Sequence, residues 1–418
     1  MNNNKTALVP RLRFPKFAIN GAINFETGDV IFEPISNKNH NSDLPVLAIT
    51  QEHGAIPRDQ IDYNVSVTDK SLESYKVVEI GDFIISLRSF QGGIEYSLYH
   101  GICSPAYIIL RKRVPIVDQY YKYYFKTGRF IQDLNKDLEG IRDGKMVSYS
   151  QFSAIMLPKP DRKEQQKIAD CLSSIDDLIA AEGKKLEALR AHKKGLMQKL
   201  FPVEGKTVPQ VRFEGYTDTW ERRKLGEIAH VTKLAGFEFT KYIEYSDNGK
   251  VIALRGLNVK NNNLVLDDVK YIDNSDFTKL SRSKLYKGDI IFTYVGTVGQ
   301  SAIIPDDDKY YLAPNVARIR VNTNVSPVFV NQQMGSSNFY NTIISPLIAT
   351  SSQPALSMEN VRKFEINLPS LAEQTAIGEF FQNIDELLIA QVEKIETLTM
   401  HKKGLMQGLF PSIEEVGE

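Results

Sequence analysis

The chain has 418 residues, 51 acidic and 51 basic side chains, 42% hydrophobic residues and 10% aromatic residues. Zero formal charge excludes a polybasic or histone-like chain but not a local basic face that meets phosphates, and the length suggests two or three domains. With only Cys103 and Cys171 as cysteines, no apolar signal core in MNNNKTALVPRLRF and no apolar run near a span of roughly 18 residues, the expectation is a cytoplasmic chain without disulfide scaffold, zinc finger or membrane segment.

In chain order, VPRLRF at 9–14 opens a globular region over residues 10–156. Short β-branched and aromatic runs (PVLAIT 45–50, DFIISL 82–87, AYIILRK 106–112) alternate with Gly, Asn and Asp turns, and one helix is predicted near 117–134. The region closes on SAIMLPKP. A proline-free stretch from Glu164 then ends at Phe201-Pro202, a strong helix stop. Its positions 168, 172, 175, 179, 182, 186, 189, 193, 196 and 200 follow a 4-3 rhythm, reading Ile, Leu, Ile, Ile, Glu, Leu, Leu, Lys, Leu, Leu.

VPQVRF at 208–213 starts the series again. The runs KVIALR 250–255, DIIFTYV 289–295 and ARIRV 317–321 follow, with a helix predicted near 327–344 and the closing strand KFEINLPS. At an offset of 209, residues 164–202 and 373–411 are identical at 20 of 39 positions, among them the whole of HKKGLMQ at 192–198 and 401–407. The second rhythm reads Ile377, Phe381, Ile384, Leu388, Gln391, Ile395, Leu398, Lys402, Leu405 and Leu409. Both copies break the apolar seam at the same two places, Glu182/Gln391 and Lys193/Lys402. Each helix runs from an acidic start to a basic end, so an antiparallel pair matches opposite charges where a parallel pair would oppose like ones. The expected fold is α+β (mixed α/β): two α/β regions separated by an intramolecular antiparallel coiled coil. The boundaries are 1–156, 157–207, 208–367 and 368–418. At 1.5 Å per residue each helix would span roughly 58 Å.

Catalytic signatures are missing. There is no Walker loop, HExxH, nucleophile elbow, adenine-methyltransferase Asn-Pro-Pro-Tyr loop or GxGxxG after a strand, and the six histidines are scattered. The loops instead offer polar donors beside glycines: Arg88, Ser89, Gln91, Arg142 and Lys145 in the first region, and Arg255, Asn258, Thr297, Gln300, Ser352 and Gln353 in the second. Such side chains bond base edges and phosphates. Lysines suit a helix C-terminus and Gly195 allows close packing, yet identity over all of HKKGLMQ exceeds what capping needs. A partner surface presented twice is the preferred reading, through His192, Lys193, Lys194, Leu196, Met197 and His401, Lys402, Lys403, Leu405, Met406.

Together, the paired VPxxRF openings, the Gly-Asp-x-Ile strands (GDFIIS 81–86, GDIIFT 288–293), the LP exits, the EQxxI helix starts and the two KKGLMQ-xLFP closings resemble the specificity subunit of type I restriction-modification systems over essentially the whole chain. The resemblance implies a target recognition domain in each globular region, reading one half of a bipartite site in double-stranded DNA. It also implies helices that set the spacer and dock two modification subunits. The chain itself would be non-catalytic and bind no cofactor. S-adenosylmethionine, ATP and Mg would sit on the modification and restriction subunits. One departure concerns the entry: the second copy continues as Trp220-Glu221-Arg222-Arg223-Lys224-Leu225-Gly226-Glu227-Ile228, a usual opening of the family, where the first has Lys16-Phe17-Ala18-Ile19-Asn20-Gly21. The alternative is a duplicated coiled-coil scaffold that binds protein and has no DNA role.

Overall fold

The protein's computed structural model describes residues 9–41, 43–61, 69–136, 147–203, 205–234, 236–349 and 353–411. Its contacts gather into two units, Met1–Gly183 with Lys394–Glu418, and Lys184–Glu393. Each unit thus takes one globular region, part of one long helix and part of the other.

The first unit is built on strands β1 (Phe32–Ile35), β2 (Phe83–Ile85), β3 (Glu95–Tyr96) and β4 (Ile108–Lys112), all antiparallel in the order β1-β4-β2-β3. Alternation sends Phe32, Phe83, Ile85 and Leu110 to one face, into a core with Tyr121, Phe125 and Phe152. Ile84 and Ile109 go to the other face, against Leu47, Val78 and Cys103. The helix predicted near 117–134 forms as two short helices, Asp118–Tyr124 and Gly128–Asn135. The Thr127 hydroxyl accepts from the Phe130 amide and restarts the second one, a capping bond that helical periodicity does not show.

The second unit repeats this plan. Two long helices, α1 (Arg162–Leu200) and α2 (Leu371–Leu409), flank strands β5 (Ala229–Lys233), β6 (Ile252–Leu254), β7 (Ile290–Thr293), β8 (Ser301–Ile303), β9 (Tyr310–Leu312) and β10 (Val316–Val321) in sequence. The main sheet runs β5-β10-β7-β8, again antiparallel, while β6 pairs parallel with β9 in a second sheet. Here too the predicted helix near 327–344 breaks, at Gly335-Ser336, where Ser336 caps the turn that follows Pro327–Met334.

The repeated motifs form the same joints in both units. Gly81 and Gly288 take φ of 98° and 86°, which only glycine adopts cheaply. The aspartates that follow are buried. Asp82 accepts the Glu79 amide and both arms of Arg111, and Asp289 accepts the Tyr286 amide and both arms of Arg320. Arg13 of the first VPxxRF grips Glu164 bidentately at 2.7 and 2.8 Å, and Arg212 of the second grips Glu373 at 2.9 and 2.6 Å. The adjoining Gln165 and Gln374 each accept one loop amide, Val117 or Ser326, and donate to a proline carbonyl, Pro160 or Pro369. The entry strands also match. Phe25–Thr27 pairs with Met156–Pro158 as Glu221–Lys224 pairs with Glu365–Leu368, although only the second copy carries the tryptophan.

None of the twenty seam positions on α1 and α2 is exposed. In the first unit Asp176 pairs with Lys402 and Glu182 with Lys394, so the contacting stretches run antiparallel. In the second, Lys193 meets Asp385 at 2.5 Å. Asp176 also accepts the Tyr123 hydroxyl, and Asp385 the Gln332 amide, residues 209 apart.

Candidate nucleic-acid interface

At one end of the second unit's main sheet, β5 finishes at Lys233, β7 at Thr293, and β8 and β10 begin at Ser301 and Val316. The Ala313 amide donates to Leu254 at 3.0 Å, which brings the 255–257 turn to the same edge. The Gly296 amide donates to Pro354, bringing Gln353 there as well. Of the sequence-derived residues, Arg255, Thr297, Gln300 and Gln353 therefore gather at one edge. Thr297 and Gln353 are exposed, Arg255 is held by Asp268 at 2.8 Å, and the Gln300 carbonyl oxygen accepts the Asn261 amide at 2.9 Å.

The corresponding end of the first unit, where β2 finishes and β4 begins, carries exposed Arg88 and Gln91. Gln51 donates to the Arg88 carbonyl at 3.1 Å and steadies that turn. Arg142, Lys145 and Ser352 lie outside the described residues.

Two of the sequence-derived residues are corrected by burial. Ser89 is 1% exposed, and its hydroxyl accepts the Ser86 amide at 2.8 Å. Asn258 is 0% exposed; it accepts the Arg255 amide and donates to the carbonyls of Val265 and Asp268 at 2.9 and 2.7 Å. Neither side chain can meet a base edge, because both are consumed in shaping the turns that carry their neighbours. Asn258→Ala should therefore cost about 1–3 kcal/mol of stability, the penalty for leaving buried polar groups unmade. Thermal unfolding checks this, and an unchanged Tm would remove the scaffolding role.

Within the two HKKGLMQ copies the side chains divide between half-buried and exposed. Leu196 and Met197 pack on the second unit's core with Leu200 and Phe201, while Leu405 and Met406 pack on the first unit's core with Leu409 and Phe410. Lys193 and Lys402 are used in the ion pairs above. His192, Lys194, His401 and Lys403 alone remain exposed. Among the described residues nothing lies within 4 Å of where a Cβ would stand on Gly195 or Gly404, so close packing against them does not explain those glycines.

Sequence reasoning missed Lys233 and Asn315, and quoted Tyr294 only as part of its loop. The Lys233 ammonium lies 5.2 Å from the Tyr294 ring centre. Asn315 is a non-glycine at φ 73°, and its carbonyl accepts the Tyr294 amide at 3.1 Å. The available signal was Pro314-Asn315 between two strand-like runs. Among the described residues no group of His, Cys, Asp and Glu could hold a metal ion, and no helix is long and apolar enough to cross a membrane. Burial pushes the Cys103 thiol up to about 12, which suits a core side chain and not a nucleophile.

The sequence model of the type I restriction modification DNA specificity domain matches residues 15–191 and again 217–399. The type I restriction enzyme MjaVIII specificity subunit of Methanocaldococcus jannaschii is 26% identical over 357 residues, covering 83% of this chain and 81% of that protein. The EcoKI specificity subunit of Escherichia coli (strain K12) is 23% identical over 315 residues, covering 73% and 66%. Among solved structures, the type I restriction-modification S subunit from M. genitalium aligns with a TM-score of 0.54 at 16% identity, over 97% of this chain and 100% of that one. A chain from a study of complex assembly and conformational transition of the type I R-M system aligns at 0.56 and 13%, over 92% and 97%. At these identities the structural matches speak to the fold alone.

Proposed function

The chain belongs to the type I restriction modification DNA specificity family, and from that premise we propose that each unit reads one half of a bipartite duplex site through the loops at the β7/β8/β10 edge and its β2/β4 counterpart. The observation that carries this reading is the duplication. The family match occurs twice, once over each globular region, and the shared motifs build the same buried joints in both, while the exposed residues at the edges are Arg88 and Gln91 in one unit and Thr297 and Gln353 in the other. Similar scaffolds with different loops are what two readers of different sequences require.

The proposal extends to partners. The chain supplies recognition, and two modification subunits carry S-adenosylmethionine and the methyl transfer. Restriction subunits use ATP and Mg. The seams of α1 and α2 act as an antiparallel coiled coil that sets the spacing of the half-sites. Exposed His192, Lys194, His401 and Lys403 offer docking contacts, and Lys194 borders a groove of about 770 Å³ with Leu186, Met197, Leu388 and Ile389.

Two measurements test it. Affinity of the assembled complex for duplex DNA should fall steeply with added salt, because phosphate contacts release counterions; a complex that ignores DNA would favour the protein scaffold. Exchanging residues 10–156 for the matching region of another family member should change one half of the modified motif and leave the other half intact. A change in both halves would refute independent reading.

A further inference from the structure

Among the described residues, four non-glycine residues hold a positive φ. Asn261 and Asn262, at 48° and 65°, form the turn of the hairpin joining Val259–Lys260 to Asn263–Leu264. Asp308, at 59°, ion-pairs with Lys284. Asn315, at 73°, follows Pro314 in a two-residue turn, at the position where a left-handed residue is glycine or asparagine. It sits where the chain leaves β9 in one sheet to start β10 in the other. Its backbone carbonyl extends the β7/β10 ladder to Tyr294, and glycine would serve that geometry at lower cost. Its side chain is exposed, and its amide has no partner among the described residues. The first unit carries Pro105-Ala106 at the same offset of 209, so the amide belongs to the second unit alone.

We propose that Asn315, flanked by the Lys233–Tyr294 pair, is a base-reading residue of the second unit whose amide recognises an adenine edge. An amide presents one donor and one acceptor side by side, the pattern that matches adenine N7 and N6 in the major groove. Lys233 supplies a cation for an adjoining phosphate or guanine edge, held at its place by the Tyr294 ring. The Asn315 amide is exposed and not spent on the protein, which separates it from that of Asn258, which is fully consumed inside.

This inference rests on the reader role proposed above, and its test keeps the two apart. Full-length chains carrying Asn315→Gly or Asn315→Asp, each assembled with the modification subunits, are compared with the unsubstituted complex by sequencing the methylated motif. Glycine preserves the left-handed turn and deletes the amide; aspartate keeps the shape and removes the donor. The expected result for Asn315→Gly is an unchanged or higher Tm and a loss of roughly ten-fold or more in discrimination at one position of the second half-site. The first half-site and the gap should stay as they were. Asn315→Asp should change the preferred base at that same position. A stable Asn315→Gly complex that modifies the original motif with full discrimination overturns the proposal. If the unsubstituted complex modifies no DNA, the reader role itself falls, and this inference with it.

Discussion

Glu373→Ala should cost the second unit about 3–5 kcal/mol, the usual penalty for stranding one partner of a buried ion pair. Glu373 is 0% exposed and its carboxylate accepts both arms of Arg212 and the indole N–H of Trp220 at 3.2 Å. Three donors lose their acceptor at once, and the Arg212 side chain, 14% exposed, has little water to turn to. Domains of this size are stable by roughly 5–15 kcal/mol, so the loss takes a large share of the total. Glu164→Ala in the first unit removes the equivalent pair with Arg13 but no tryptophan bond, and should cost less. The double replacement Arg212→Leu with Glu373→Leu should be milder than Glu373→Ala, because no charge is left buried alone. Calorimetry of the three variants decides it; equal Tm values for Glu373→Ala and the unsubstituted chain would show that the bidentate pair carries no stability.

The second large effect concerns spacing. Seven residues inserted in α1 between Gly183 and Lys184, and seven in α2 between Glu393 and Lys394, preserve the heptad phase. They also leave the Asp176–Lys402, Glu182–Lys394 and Lys193–Asp385 pairs inside their own units. The added rise is about 10.5 Å at 1.5 Å per residue, equivalent to roughly three base pairs at about 3.4 Å each. Those base pairs turn the second half-site by roughly 100° at about 10 base pairs per turn. The expected motif therefore has its unread gap lengthened by about two to four base pairs, with weaker binding where the reading faces no longer align. Sequencing the methylated motif in cells carrying the lengthened chain checks this. Complete modification at the original gap would mean that the helices do not rule the spacing.

The sequence by itself determined the parts that repeat. An offset of 209 identified two copies, the 4-3 rhythm marked seam positions that are all buried or half-buried, and Gly-Asp and Glu-Gln marked points that recur as the same joints. These were legible because periodicity and identity are local properties of the chain, whatever the folded neighbours turn out to be. Two matters were decided by tertiary structure alone. One is destination: the first HKKGLMQ copy closes the core of the second unit and the second copy closes the first, because Leu196, Met197, Leu405 and Met406 bury against whichever core lies beside them in space. The other is the fate of each polar loop residue. Ser89, Asn258, Gln91 and Asn315 are all polar donors and acceptors on paper. The first two are spent inside on backbone partners, and the last two face solvent. A polar side chain can satisfy a buried backbone group or meet a ligand but not both at once, and which of these it does depends on burial, a property of the assembled fold.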